Sequence, residues 1–345
     1  MDVATLGIDL GKTWCSLVGL DREGSVVLRR KVRLERVIEI TAKLPPCRIG
    51  IEAARGSHHL ARILLGQGHD ARLMPPAYVK PYVKSQKNDD RDAEAIAEAV
   101  TRPTMRFVPV KSVEQLDMQA LHRIRERLMG RRIQLTNQIR ALLFERGVSV
   151  PEGRAKLRPA LAAVLDPADR SLSPRMRRAV EELRREWDEV DRRIAELDEE
   201  FAATARESEA VRRLAEIPGL GPLTATALSA AVGDASSFGS GRHLAAWLGL
   251  VPRQYSTGGK PKLLGIGKRG NVYVRTLLIH GARAALRPLA AGGSSLGAWA
   301  RGLLERAAHP NIAIVALANK MARIAWAVLR GGGRFEWRAA AAAAP

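Results

Sequence analysis

A mixed α/β domain followed by a mostly helical remainder is the fold this sequence predicts. Short apolar runs with strand-like alternation crowd the first 75 residues, and apolar residues at helical spacing then continue through two long stretches between positions 111 and 201. Hydrophobic residues make up 46% of the chain but aromatics only 4%, so its cores must be built from Leu, Val, Ile and Ala, as helical cores often are.

Taken in order, Thr5–Leu10, Trp14–Leu20 and residues 25–32 read as an antiparallel meander, turning at Gly11-Lys12 and at residues 21–24. A helix is expected near 33–42, a short strand over 48–53, a helix over 57–65 capped by Ser57, and a strand over 71–74 stopped by Pro75-Pro76. A helix over 92–100 and a last strand over 107–110 complete a sheet flanked by helices. Residues 111–147 read as one long helix ended by Gly147. A second long helix carries Val180, Leu183, Trp187, Val190, Ile194, Leu197 and Phe201 in alternating steps of three and four, a heptad seam that predicts a coiled coil. The alternative is an amphipathic helix packed on the body of the protein. Four prolines between 150 and 174 mark a loop with a short helix. From Ile217 the run Ile-Pro-Gly-Leu-Gly-Pro-Leu-Thr-Ala has the pattern of a helix-hairpin-helix, whose glycine turn lets backbone N–H groups approach a phosphate; a plain packing joint is the alternative. The expected domains are 1–110, 111–210 and 211–335, with 336–345 a disordered tail.

The formal net charge is +20, which calls for a polyanionic partner, nucleic acid by default. Residues 201–345 carry 19 Lys and Arg against 6 Asp and Glu, so most phosphate contact is expected there. Cys15 and Cys47 are too few for a disulfide framework or a zinc site, and they suit a reducing cytoplasm. No membrane span and no signal peptide are expected.

Four carboxylates stand out: Asp9 in the first strand, Glu52 at the end of the fourth, and Asp89 and Asp92 around a helix start. A charge in an otherwise apolar strand needs a cation or a donor beside it. Hard oxygen ligands suit Mg²⁺, and a pair of ions stabilises the entering and leaving oxygens of a phosphoryl transfer. For Asp89, Asp90 and Asp92 the competing account is a charged helix N-terminus complementing the dipole. A second constellation is the glycine-rich basic segment Tyr255-Ser256-Thr257-Gly258-Gly259-Lys260, followed by Lys262, Gly265, Lys268, Arg269, Gly270, Asn271 and Arg275. Its cations would hold a phosphate and a hydroxyl among them would serve as nucleophile, although a lone serine there is also an ordinary turn residue. The seven histidines show no metal-ligand spacing.

Two sets of motifs in order, Gly7-Ile8-Asp9, Ile51-Glu52-Ala53, Gly68-His69, Pro81-Tyr82-Val83-Lys84 and Lys87-Asn88-Asp89-Asp90-Arg91-Asp92-Ala93, then Ile217-Pro218-Gly219, Trp247-Leu248-Gly249-Leu250-Val251-Pro252, Tyr255-Ser256 and Gly267-Lys268-Arg269-Gly270-Asn271 with Arg275, resemble the DEDD transposases of the insertion-sequence 110 family, 1111-like branch, over nearly the whole chain. The resemblance implies a RuvC-like, ribonuclease-H-fold domain with Asp9, Glu52, Asp89 and Asp92 as its metal-binding acids, a coiled-coil insertion that mediates assembly, and a C-terminal transposase domain in which Ser256 forms a phosphoserine intermediate with DNA. It implies two Mg²⁺ ions, donor and target DNA, a structured guide (bridge) RNA encoded by the element, and a dimer to tetramer with composite sites. Lys260, Lys262, Lys268, Arg269, Asn271 and Arg275 are the expected nucleic-acid contacts. The family often has two serines before the glycine where this chain has Ser256 and Thr257, so Thr257 stays a weaker candidate, and Asp90 stays an alternative to Asp89. Strand exchange without ATP is expected.

Two other classes compete. Gly7-Ile8-Asp9-Leu10-Gly11-Lys12-Thr13 also resembles the first phosphate loop of actin-like ATPases and sugar kinases, but the second phosphate loop and the adenosine loop are not found. A non-catalytic nucleic-acid-binding protein would explain the basic charge, yet leaves four acids that repel phosphate unless metal intervenes.

Overall fold

The computed structural model describes residues 2–84 and 89–337, which fall into two compact units on either side of the Val113/Glu114 boundary. The Lys87-Asn88 part of the N-terminal motif and residues 338–345 of the expected tail lie outside the described residues.

The first unit is a five-stranded sheet with helices on both faces. Strands β1 (Thr5–Leu10), β2 (Trp14–Leu20) and β3 (Val26–Arg33) form the expected antiparallel meander. After α1 (Leu34–Thr41), β4 (Arg48–Glu52) pairs parallel with β1; after α2 (Ser57–Gly66), β5 (Asp70–Met74) pairs parallel with β4. The order is β3-β2-β1-β4-β5. Strand alternation divides the side chains. Leu6, Ile8, Leu17, Ile49 and Ile51 face α1 and α2, packing with Val37, Leu60 and Leu64. On the other face, Val18 and Leu20 meet Ala93 and Ala97 of a helix that follows the short α3 (Pro76–Val79), namely α4 (Asp89–Ala99).

In the second unit, α5 (Val113–Phe144) and α7 (Pro174–Glu207) run antiparallel, tied by Arg125–Asp198 at 2.6 Å and Arg132–Asp191 at 3.0 Å. The short α6 (Arg154–Val164) closes on the same core through Leu157, Leu161 and Val164. Gly147, at φ +75°, ends the turn after α5, where Val148 N donates to Leu143 O. The remaining helices α8 (Glu209–Ala215), α9 (Pro222–Val232), α10 (Gly241–Trp247), α11 (Val272–Ala291), α12 (Ser295–Arg306) and α13 (Pro310–Gly331) enclose a core of Ala, Leu, Val, Ile and Met, interrupted by a hairpin of β6 (Pro252–Gln254) and β7 (Leu263–Ile266).

Several expectations need correction. Ser57 does not cap α2; Gly56 does, at φ +83°, while the Ser57 hydroxyl donates back to Ala54 O at 2.8 Å. Residues 107–110 form no strand, only one bridge between Val108 and Leu73. The heptad seam of α7 finds its partners in the same chain, since Val180, Trp187, Val190 and Ile194 pack on Leu128, Leu135, Ile139 and Leu143 of α5. An apolar segment of membrane-spanning length does exist: α13 qualifies by length and composition. Its Ala313, Leu317, Ala318, Met321, Ala322 and Ala325 are buried in the C-terminal core, which accounts for that composition.

Gly219 illustrates how the expected helix-hairpin-helix turn is used. It sits at φ +85° between α8 and α9, and a Cβ there would stand 2.7 Å from Gly281 O of α11. A Cβ on Gly281 would in turn come within 1.9 Å of Gly219 O. The two glycines let backbone meet backbone, so this turn is a packing joint within the fold.

Candidate active sites of the two units

In the first unit, two glycines set the position of the acids. A Cβ on Gly7 of β1 would lie 2.1 Å from Ala93 O, and one on Gly50 of β4 would lie 3.0 Å from Ile96 O, so α4 rests directly on the sheet. Asp9 and Glu52 follow two residues after these glycines, on the same α4-facing side of neighbouring strands. The first turn of α4 carries Asp89, Asp90 and Asp92. Burial, and then the charge of Asp92, hold the Glu52 carboxyl above its ordinary range, so strand end and helix start share one field.

A lysine stands among these acids. Lys31 of β3 donates to Asp89 Oδ2 at 2.8 Å, and its ammonium is held above the ordinary lysine value by that bond, by the Asp89 charge, and further by Asp90 and Asp9. Arg29, on the same face of β3, bonds Glu94 of α4, which also accepts from Lys84 at 3.0 Å. Sequence reasoning missed Lys31, because only the strand register places it opposite Ser16 and hence in line with Asp9. Among the described residues, no three acid, histidine or cysteine side chains are spaced to grip an ion. The donor set nevertheless fits a hard divalent cation: every group is a carboxylate, and their mutual repulsion favours one.

In the second unit, Ser256 lies on the β6–β7 hairpin. The glycines there make a turn: Gly258 and Gly259 both have positive φ, +57° and +75°, between bridged Thr257 and Lys260, the two-residue geometry that suits the twist of a hairpin. Tyr255, 67% exposed, donates its N–H to Lys262 O, and the Ser256 hydroxyl accepts a 2.9 Å bond from Gln254 Nε2. Ser256, Thr257, Lys260 and Lys262 are all exposed.

Behind this hairpin, two sequence motifs interlock. Lys268 N donates to Gly249 O at 3.2 Å and Gly267 N to Val251 O at 2.8 Å. A Cβ on Gly270 would stand 1.8 Å from Trp247 O, and one on Gly249 2.3 Å from Arg269 O. Lys268 itself adopts φ +55°, a conformation rare outside glycine. Arg275, 6% exposed, holds the junction: its guanidinium donates to Leu248 O at 2.9 Å, Arg269 O at 2.8 Å and Lys268 O at 2.9 Å. The sequence suggests a phosphate contact there, whereas the structure spends this cation on carbonyls. Asn271 caps α11, its Oδ1 accepting from Val274 N at 3.1 Å. Lys268 and Arg269 remain on the surface.

Comparison with known proteins finds two family matches in this chain. Residues 6–146 match a DEDD transposase family of IS110 type, and residues 211–291 match the "Transposase IS116/IS110/IS902 family". The chain is 45% identical over 330 residues to a "Probable family 20 transposase" of Pseudomonas aeruginosa, covering 95% of this chain and 97% of that protein. It is 44% identical over 328 residues to the "Transposase for insertion sequence element IS1111A" of Coxiella burnetii, covering 95% and 90%. Identity to the "Transposase for insertion sequence element IS1328" of Yersinia enterocolitica is 40% over 334 residues, covering 97% and 99%. The mixed sheet and the mostly helical second unit fit a RuvC-like transposase. The chain belongs to the IS110 family of DEDD transposases, on its IS1111-like side, and is a DNA transposase of an insertion sequence.

Proposed function

We propose that this transposase cuts and rejoins DNA through a covalent phosphoserine at Ser256, assisted by divalent metal at Asp9, Glu52, Asp89 and Asp92. The observation that carries the reading is the exposed Ser256 hydroxyl beside Lys260 and Lys262 on a hairpin whose base is locked by Arg275. Attack by Ser256 Oγ on a backbone phosphorus forms the seryl ester as the bond to the 3′-oxygen breaks; the serine proton ends on that oxygen. The ester conserves the bond, so the reverse attack by a 3′-hydroxyl rejoins strands without ATP. When bound, Mg²⁺ would offset the charge that builds on the phosphate oxygens. The chain's own part is to gather the acids over the sheet, present the hydroxyl on a short turn, and neutralise phosphate with Lys260, Lys262, Lys268 and Arg269. Arg275 acts through the loop it ties, and Asn271 through the helix it caps.

Donor and target DNA, a structured guide RNA, assembly of two to four copies through the helical hairpin, and action in the cytoplasm complete the proposal. It is tested by recombination between donor and target plasmids carrying the element's flanking noncoding DNA. Asp9→Ala and Ser256→Ala are both expected to abolish products while protein levels hold. Recombination by Ser256→Ala would move the nucleophile to Thr257 or to water, and the loss of products with Thr257→Ala alone would select the former.

A further inference from the structure

The β1, β2 and β3 registers pair Asp9 with Ser16 and Ser16 with Lys31, so these three side chains project in a row from the α4-facing side of the sheet. Lys31 reaches Asp89 at 2.8 Å, with Asp9 and Asp90 within electrostatic reach of the same ammonium. Between Asp9 and Lys31, Ser16 is 2% exposed and its hydroxyl has no hydrogen-bond partner among the described residues. A buried hydroxyl left unpaired is costly, and the register sets this one between a carboxylate and an ammonium. The row therefore sets a buried hydroxyl beside a cation on a flexible stem.

We propose that Lys31 is a tethered stand-in for the divalent metal: its ammonium occupies the Asp89 side of the acid cluster, competes with the metal there, and on being displaced is free to meet the phosphate. This rests on the carboxylate reading given above. Asp9 and Glu52 stand near the ends of neighbouring strands and Asp89, Asp90 and Asp92 open α4, so negative charge collects on this side of the sheet and favours a cation there. A lysine fits better than an arginine for a role that ends in release, because it makes single bonds from a compact head and holds no bidentate grip. Its side chain is 55% exposed and swings out without uncovering a core.

Calorimetric titration of the full-length protein with MnCl2 and with MgCl2 tests this, comparing wild type, Lys31→Gln, Lys31→Arg and Asp9→Asn. Removing one positive charge a few ångströms from a divalent ion tightens binding by about tenfold in a water-like dielectric. Lys31→Gln is expected to bind metal about that much more tightly yet recombine more slowly, and Lys31→Arg, with its forked grip on carboxylate, to bind metal less tightly than wild type. Equal or weaker metal binding by Lys31→Gln, at unchanged circular dichroism and melting temperature, overturns the role of Lys31 and leaves the carboxylate site standing. Wild-type affinity in Asp9→Asn overturns the carboxylate site itself, and Lys31 with it.

Discussion

Gly7 of β1 and Ala93 of α4 meet backbone to backbone, with room for no carbon between them: a Cβ on Gly7 would lie 2.1 Å from Ala93 O. This contact fixes how far the first turn of α4, and so Asp89 and Asp92, stands from Asp9 and Glu52. Gly7→Ala is expected to destabilise the first unit by about 1–3 kcal/mol, the usual cost of overfilling a packed core, and to lower metal affinity in parallel. Denaturant midpoints and metal titration measure both. Wild-type stability in Gly7→Ala would mean that α4 shifts freely on the sheet.

Arg275 gives a prediction of the opposite kind from a DNA contact. Removing its guanidinium strands three carbonyls, so Arg275→Ala should cost at least about 3 kcal/mol, and Arg275→Lys should recover only part of that. The slope of log affinity for DNA against log salt should stay at its wild-type value in whatever Arg275→Lys protein is folded. A slope reduced by about one unit would make Arg275 a phosphate ligand after all.

The exposed Lys260 and Lys262 should behave in the reverse manner. Replacing both by Gln is expected to leave the melting temperature within about a degree of wild type, as surface changes usually do. DNA binding should weaken uniformly across sequences, with the salt slope reduced by about two units. Binding unchanged at 50 and 200 mM salt would take the hairpin off the DNA path.

His122 sets an acid limit on the second unit. It is 3% exposed, stacked on Phe201 at 4.1 Å, with Nδ1 3.1 Å from Tyr273 Oη and Nε2 3.1 Å from Thr226 Oγ1. Thr226 gives its single proton to Pro222 O at 2.8 Å, so Nε2–H must donate to Thr226, and Nδ1 accepts from Tyr273. That neutral ring is satisfied. Burial, with Arg125 nearby and Asp198 opposing, lowers its pKa to about 4. In the unfolded chain it titrates near its ordinary value of about 6.5. Between these values the unfolded state holds the extra proton, so stability falls as pH falls, by about 2 kcal/mol at pH 5. The stability of His122→Gln should lose that part of its slope between pH 7 and 5; an unchanged slope would place the proton uptake elsewhere.

The meander was legible because strand alternation is local: Thr5–Leu10 and Trp14–Leu20 begin and end where the sequence places them. The strands that carry Asp9 and Glu52 were legible in the same way, while their parallel pairing comes from the fold. What escaped reading is non-local. Lys31 looks like one more cation in a basic strand until the register sets it opposite Ser16. Arg275 looks like a phosphate contact until Leu248, Lys268 and Arg269 turn their carbonyls inward around it. The apolar α13 is hidden from a search for unbroken hydrophobic runs by Asn311, Asn319, Lys320 and Arg323, which interrupt the pattern without emptying its buried face.

The seam of α7 carries a consequence for the life of a single copy. Since α5 and α6 cover it within one chain, closing that seam is a unimolecular event whose equilibrium is independent of how many other copies exist. A transposase made in very small numbers can thus shelter its longest apolar stripe before it meets DNA or another subunit, and dilution alone does not expose it.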